Sequence, residues 1–243
     1  MQLIPAIDLK NGSCVRLLQG NSDKETVYSN DPAGMAVRFE EAGAKRLHLV
    51  DLDGAFQGIS SNITSIRLIM KNVSIPVQIG GGLRTEEDID NMIDLGVSSV
   101  IVGTMAVNLP DVLEKLLNKY TDEQIILGID SRNRKVSIEG WKENTQIQDV
   151  EFALRWKNSG IKRVVFTDIS RDGMLRGPNL IALREMAEHT GLKIVASGGI
   201  SSLEDLEKLK NLEPYGVDQV ISGKAIYERK IDLKKVFKCL QSE

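Results

Sequence analysis

Two aspartates, Asp8 and Asp130, each close a short apolar run, Leu3–Asp8 and Ile125–Asp130. A carboxylate at the end of a buried strand is costly unless it is paired or functional. Two such groups across one site can divide acid–base work, one ionised as base and the other held protonated as acid. A lone strand-end Asp is more often a cap for the next loop or helix. The pairing favours chemistry, and the residues alone do not say which Asp is acid and which is base.

Glycine-rich turns form the second constellation. Gly80-Gly81-Gly82 and Gly198-Gly199 each follow an apolar run and precede a helical pattern. Gly103-Thr104 and Gly223-Lys224 are the neighbouring turns of the same kind. Glycine lets the backbone approach an anion, and a helix start offers free N–H groups. One Gly-Gly turn usually means close packing. Two matched pairs predict two phosphate cups, with Thr104 and Lys224 as added donors, and hence a small-molecule substrate with a phosphate at each end.

These features repeat. Val77-Gln78-Ile79-Gly80-Gly81-Gly82 returns as Val195-Ala196-Ser197-Gly198-Gly199, and Ile7-Asp8 returns as Ile129-Asp130. The remaining polar positions read as follows. Asp51, Asp53 and Asp168 suit turn or loop support better than chemistry, and Asp53-Gly54 and Asp172-Gly173 read as turns. Thr167 can hydrogen-bond a carboxylate and tune it. Arg16 and Trp141 lie on long polar connections; Arg16 suits a phosphate clamp, and Trp141 either stacks on a planar ring or anchors its own loop. Arg84 adjoins one glycine turn, as ligand or as a solvated side chain. His48, inside an apolar run, reads as structural, and His189 reads as a helix-end residue. Two histidines so placed argue against a His triad or a zinc site.

The elements that must position these groups alternate. Val/Ile/Leu-rich runs at Leu3–Asp8, Arg46–Asp51, Pro76–Gly80, Ser99–Gly103, Ile125–Asp130, Arg163–Asp168, Lys193–Ser197 and Gln219–Gly223 read as strands buried on both faces. Amphipathic stretches separate them, and Gly43, Gly96, Gly160 and Gly191 sit at their ends. Eight β-α units predict an α/β fold, a (β/α)8 TIM barrel with a half-barrel internal repeat. The chain of 243 residues is read as a single domain, with half-barrels about 1–122 and 123–243. The two long connections, Leu9 to Asp31 and Ser131 to Gln146, follow the two Asp residues and read as lids.

Composition sets bounds. A formal net charge of −3 does not suggest a nucleic-acid binder. No apolar run reaches the roughly 20 residues that span a bilayer. Cys14 and Cys239 lack metal-ligand spacing and read as reduced thiols, so the expectation is a cytoplasmic protein with no metal. Cys14 reads as packing. No obligatory protein partner is implied, and a monomer is expected.

Ile4-Pro5-Ala6-Ile7-Asp8-Leu9, His48-Leu49-Val50-Asp51-Leu52-Asp53-Gly54-Ala55, Gly80-Gly81-Gly82-Leu83-Arg84, Gly140-Trp141, Thr167-Asp168-Ile169-Ser170-Arg171-Asp172-Gly173 and Ala196-Ser197-Gly198-Gly199 occur in this order. Together they resemble the phosphoribosylformimino-5-aminoimidazole carboxamide ribotide isomerases of histidine biosynthesis, over essentially the whole chain. The resemblance implies a cofactor-independent Amadori rearrangement, an aminoaldose becoming an aminoketose. It implies Asp130 as general acid, Asp8 as general base and Thr167 as support for the acid. It implies Trp141 over the aminoimidazole, and Arg16 and Asp172 as substrate contacts. The candidate binding set is completed by Gly81, Gly82, Arg84, Gly103, Thr104, Gly173, Gly177, Ser197, Gly198, Gly199, Gly223 and Lys224. The sister cyclase of the pathway typically carries Cys where this chain has Ala6. A dual-substrate isomerase that also takes phosphoribosylanthranilate, and a non-catalytic phosphate-binding scaffold, are the other readings.

Overall fold

The computed structural model describes residues 1–58 and 61–241. The side chain of Cys239 lies outside the described residues.

The chain runs β1 (Gln2–Lys10), β2 (Ser13–Leu18), β3 (Asn21–Ser29), α1 (Pro32–Glu41), β4 (Leu47–Asp51), α2 (Leu52–Gln57), α3 (Ile63–Asn72), β5 (Val77–Gly80) and α4 (Glu86–Asp94). It continues with β6 (Ser99–Val102), α5 (Thr104–Asn108), α6 (Pro110–Lys119), β7 (Ile125–Arg132), β8 (Lys135–Ile138), β9 (Glu143–Gln148), α7 (Asp149–Asn158) and β10 (Arg163–Asp168). α8 (Leu180–Thr190), β11 (Lys193–Ser197), α9 (Leu203–Lys210), β12 (Val217–Ser222), α10 (Lys224–Tyr227) and α11 (Leu233–Gln241) complete it.

Strands β1, β4, β5, β6, β7, β10, β11 and β12 pair in parallel around a ring, and β12 closes on β1. This is the (β/α)8 barrel that the alternating pattern predicts. Strand side chains alternate between the inside of the barrel and the helix layer. Ile4, Ala6, Ile126, Val165, Val195 and Ile221 form one buried cluster, with Ile101 packed on it. A larger cluster joins the outer strand faces to the helices. Asp8 continues the inward series Ile4, Ala6; Asp130 continues Ile126, Gly128; Thr167 follows Val165. The period of two therefore lifts these polar groups to the top of the filled interior, at the C-terminal ends of the strands. β1 and β7 stand four strands apart in the ring, so the two Asp residues face each other across it.

The two long connections are antiparallel β-hairpins. β1 runs on past Asp8 into β2, and β7 runs on past Asp130 into β8. Asn11 and Gly12 have φ of 48° and 77°, and Asn133 and Arg134 have 52° and 67°. Positive φ at both central residues makes each a type I′ turn, whose twist suits a hairpin. Asp53 and Gly54 lie in the short helix α2, not in a free turn, and Asp51 caps that helix by accepting from the Gly54 N–H at 3.1 Å. No helix among the described residues is long and apolar enough to cross a membrane.

Candidate active site

A cavity of about 240 Å³ opens at the C-terminal ends of the barrel strands. Asp8, Asp130, Thr167, Arg16, Asp172 and Trp141 line its centre. Asp8 is 7 % exposed, and its Oδ2 accepts from Arg16 Nη1 at 2.8 Å. Its Oδ1 is buried and has no partner. Burial pushes the Asp8 carboxyl up to about 6; Arg16 opposes that rise and Asp172 adds to it. Asp130 is also raised by burial, against hydrogen bonds from Trp141 and Thr167, with Asp172 adding to the rise. Thr167 stands beside Asp130 in the β7–β10 register, which explains its reach. The two carboxyls thus differ in environment: Asp8 has a cation, and Asp130 has two neutral donors.

One end of the cavity is built by β5, β6 and the residues after them. Gly81 and Gly82 are left-handed, with φ of 96° and 74°. A Cβ on Gly81 would strike the Asp51 carbonyl, and one on Gly82 would lie 2.5 Å from the Gly54 carbonyl carbon. These glycines are required by backbone-on-backbone packing, and the bare chain also faces the cavity. Gly103 and Thr104 complete this end. Thr104 Oγ1 accepts from the Glu139 N–H at 3.0 Å, which ties the second hairpin to the cup. Arg84 lines the same wall, but its guanidinium is turned onto the Ala55 carbonyl at 3.2 Å.

The opposite end repeats this plan. Ser197, Gly198, Gly199, Gly173, Gly223 and Lys224 line it. A Cβ on Gly198 would sit 2.9 Å from the Asp168 carbonyl. The Arg16 guanidinium packs directly on Gly223, so any side chain there would displace it. Lys224 Nζ donates to the Gly173 carbonyl at 2.8 Å. At both ends the long helices α4 and α9 carry capping boxes, Thr85 with Asp88 and Ser202 with Asp205. The helices that start at the cavity rim, α5 and α10, have no side-chain cap. Their first N–H groups remain available to an anion.

Gly177 does not line the cavity. Its N–H donates to the Gly199 carbonyl at 2.9 Å, so it backs the cup from behind. Asp51, Asp53 and Asp168 serve as support, as their turn-like settings suggested. The sequence reading missed the two asparagines that partner them. Asn62 Nδ2 donates to Asp51 Oδ1 at 2.6 Å, and Asn179 Nδ2 donates to Asp168 Oδ2 at 2.6 Å. Aligning the half-repeats through these positions is the signal that finds them.

Trp141 has φ of 71° and lies against Gly20 at the end of the first hairpin. The two hairpins thereby meet over the cavity. His48 is buried beside Gln78 Nε2 at 3.1 Å, and burial holds its pKa down to about 3, so it is neutral. It also lines the cavity. His189 Nδ1 sits 2.8 Å from the Glu185 carbonyl in the last turn of α8. Cys14 is fully buried, and burial pushes its thiol up to about 12, as suits a packing residue.

A sequence model of the family described as histidine biosynthesis protein matches residues 2–232. A protein of Pelotomaculum thermopropionicum is 50% identical over 243 residues, covering 100% of this chain and 93% of the relative. One of Syntrophomonas wolfei is 49% identical over 233 residues, 96% of each chain. One of Desulforamulus reducens is 47% identical over 243 residues, 100% of this chain and 98% of the relative. All three are named 1-(5-phosphoribosyl)-5-((5-phosphoribosylamino)methylideneamino) imidazole-4-carboxamide isomerase. The chain belongs to the histidine biosynthesis protein family, on the strength of that match and of these relatives.

Proposed function

We propose that this chain is the isomerase named in its relatives and converts an N-glycosidic aminoaldose carrying two phosphates into the aminoketose. The observation that carries this reading is the central carboxyl pair between two glycine-lined cups, each beside a helix start with no side-chain cap. In this reading residues 1–243 work as one barrel, and each half supplies one Asp and one cup.

Asp130 gives its proton to the ribose ring oxygen. The C1–O bond breaks as the anomeric nitrogen lone pair forms a C1=N bond. Asp8 then takes the proton from C2, and those electrons make the C1=C2 enolamine. Asp8 returns its proton at C1 while the C2 hydroxyl gives its own proton to Asp130, which makes the ketone and restores both carboxyls. Oxidation at C2 is matched by reduction at C1, so the balance calls for no external electron carrier. Arg16 keeps Asp8 ionised near neutral pH, which suits the base. Thr167 and Trp141 orient Asp130. Gly81, Gly82, Gly103 and Thr104 hold one phosphate; Ser197, Gly198, Gly199, Gly223, Lys224 and Gly173 hold the other. Trp141 stacks on the aminoimidazole, and Asp172 contacts the ribose side of the site.

The test is steady-state isomerisation of that biphosphate ribotide, with phosphoribosylanthranilate in parallel. Turnover of the first alone supports the reading, turnover of both widens it to two substrates, and turnover of neither by folded protein removes it.

The pH dependence follows from the two environments. The rate rises as pH passes about 6, because Asp8 must be ionised. It falls again where Asp130 loses its proton. Trp141→Phe removes a hydrogen bond that favours the Asp130 carboxylate. Asp130 then holds its proton to higher pH, and the alkaline limb of kcat/KM moves up while the acidic limb stays. An alkaline limb that stays or moves down contradicts the acid assignment.

A further inference from the structure

Arg16 reaches Asp8 from the first hairpin, and hydrogen bonds hold it along one edge. Nη1 donates to Asp8 Oδ2 at 2.8 Å and Nη2 to the Ala6 carbonyl at 3.3 Å. Nε is buried without a partner. A long side chain bonded on one edge can still swing about that edge. The other side is closed by an aromatic ring: the guanidinium carbon lies over Tyr227, 5.9 Å from the ring centroid.

That ring is itself fixed. Tyr28 on β3 stacks on it with centroids 4.6 Å apart and planes at 28°. Phe39 on α1 meets it edge-on at 5.9 Å and 63°. The Tyr227 hydroxyl is buried and has no partner, so ring packing and not a hydrogen bond sets its place. Tyr227 sits on α10, which begins beside Gly223, and it is not among the residues lining the cavity.

We propose that Tyr227 is a positioning residue for the isomerisation, its ring face holding the Arg16 guanidinium against Asp8 by a cation–π contact. The inference rests on the reading of Asp8 as the base. A cation over a ring face is attracted by the ring quadrupole, most strongly where both are desolvated. Arg16 is the cation that acts on Asp8; Asp172, on the turn after β10, acts with the opposite sign. Cys14 on β2 and the Tyr227 hydroxyl also face Asp8, and Lys224 faces Asp172. Arg16 in turn faces Asp8, Asp172, Tyr28 and Tyr227. When the ring is lost, Arg16 swings away and Asp8 keeps its proton to higher pH.

The experiment follows the 13C carboxyl resonance of Asp8 through a pH titration of the substrate-free protein, alongside the acidic limb of kcat/KM. Tyr227→Phe keeps the ring and titrates as wild type. Tyr227→Leu raises the Asp8 midpoint by about 0.5–1.5 pH units, the range a cation–π contact is worth, and the acidic kcat/KM limb moves with it. An unchanged midpoint in Tyr227→Leu overturns the proposal. So does a Tyr227→Phe that shifts as far as Tyr227→Leu, since the hydroxyl would then be responsible. Should Tyr227→Leu not fold, phenylalanine bearing one, two or three ring fluorines at this position decides: a stepwise rise is expected, and a flat series overturns. The titration needs no substrate. A wild-type chain without turnover therefore refutes the proposed function separately, whatever the midpoints do.

Discussion

Asp8→Asn and Asp130→Asn each lower single-turnover isomerisation by about 10²–10⁴-fold, the usual contribution of a positioned acid or base. Both substitutions nearly preserve shape, so circular dichroism should stay native. The two variants differ in stability. The Asp130 pKa is raised in the fold, so its ionised carboxylate is a burden wherever pH exceeds that raised value. Its favourable contribution is full below the unfolded value of 3.8 and disappears as pH rises through the folded value. Asp130→Asn should therefore melt at or above the wild-type temperature near pH 8, while losing its activity. Asp8→Asn also relieves a burial cost, but it leaves Arg16 buried without its carboxylate, and that offsets the gain. A rate loss below about tenfold in either variant would remove that residue from its assigned role.

The barrel was legible because each parallel strand is buried on both faces. That produces the short apolar runs, and eight of them with amphipathic stretches between admit few closed arrangements. The inward position of Asp8 and Asp130 follows from the same runs, by counting in twos from Ile4 and Ile126. The hairpins were not legible as strands. Residues of β9 alternate only between half-buried and exposed, so no hydrophobic pattern marks them. Asn11-Gly12 carried a turn signal, whereas Asn133-Arg134 places an arginine at positive φ, which no propensity predicts. Whether a side chain points at a ligand or at its own backbone was also hidden. Arg84 is turned onto Ala55, and Gly177 stands behind Gly199 instead of at the rim. Both depend on tertiary contacts formed by residues far along the chain.

Asp53→Ala destabilises the protein by about 3 kcal/mol, because it removes a buried carboxylate that accepts three hydrogen bonds of about 1.5–3 kcal/mol each, a loss reduced where exposed Asn11 and Ser61 turn to water and Asn62 keeps its bond to Asp51. Asp53 is 1 % exposed. Its Oδ2 accepts from the Asn11 N–H at 2.7 Å, from Ser61 Oγ at 2.8 Å and from Asn62 Nδ2 at 2.8 Å. Asn11 forms the tip of the first hairpin, and Asn62 Oδ1 accepts from the next residue, Gly12, at 2.9 Å. One carboxylate therefore ties α2 to the hairpin that carries Arg16. For a chain of this size the loss corresponds to a melting temperature lower by about 6–12 °C. Asp168 supplies the control. It also accepts from a partner asparagine and from Ser170, but its side chain is more open and its bonds stay within its own loop. Asp168→Ala should cost about 1 kcal/mol. Catalytic loss in Asp53→Ala should be modest beside that of Asp8→Asn, since Arg16 keeps its own contact with Asp8. If Asp53→Ala melts within about 2 °C of wild type, the tether contributes too little to hold the hairpin. Arg16 would then depend on Asp8 and the Tyr227 ring alone.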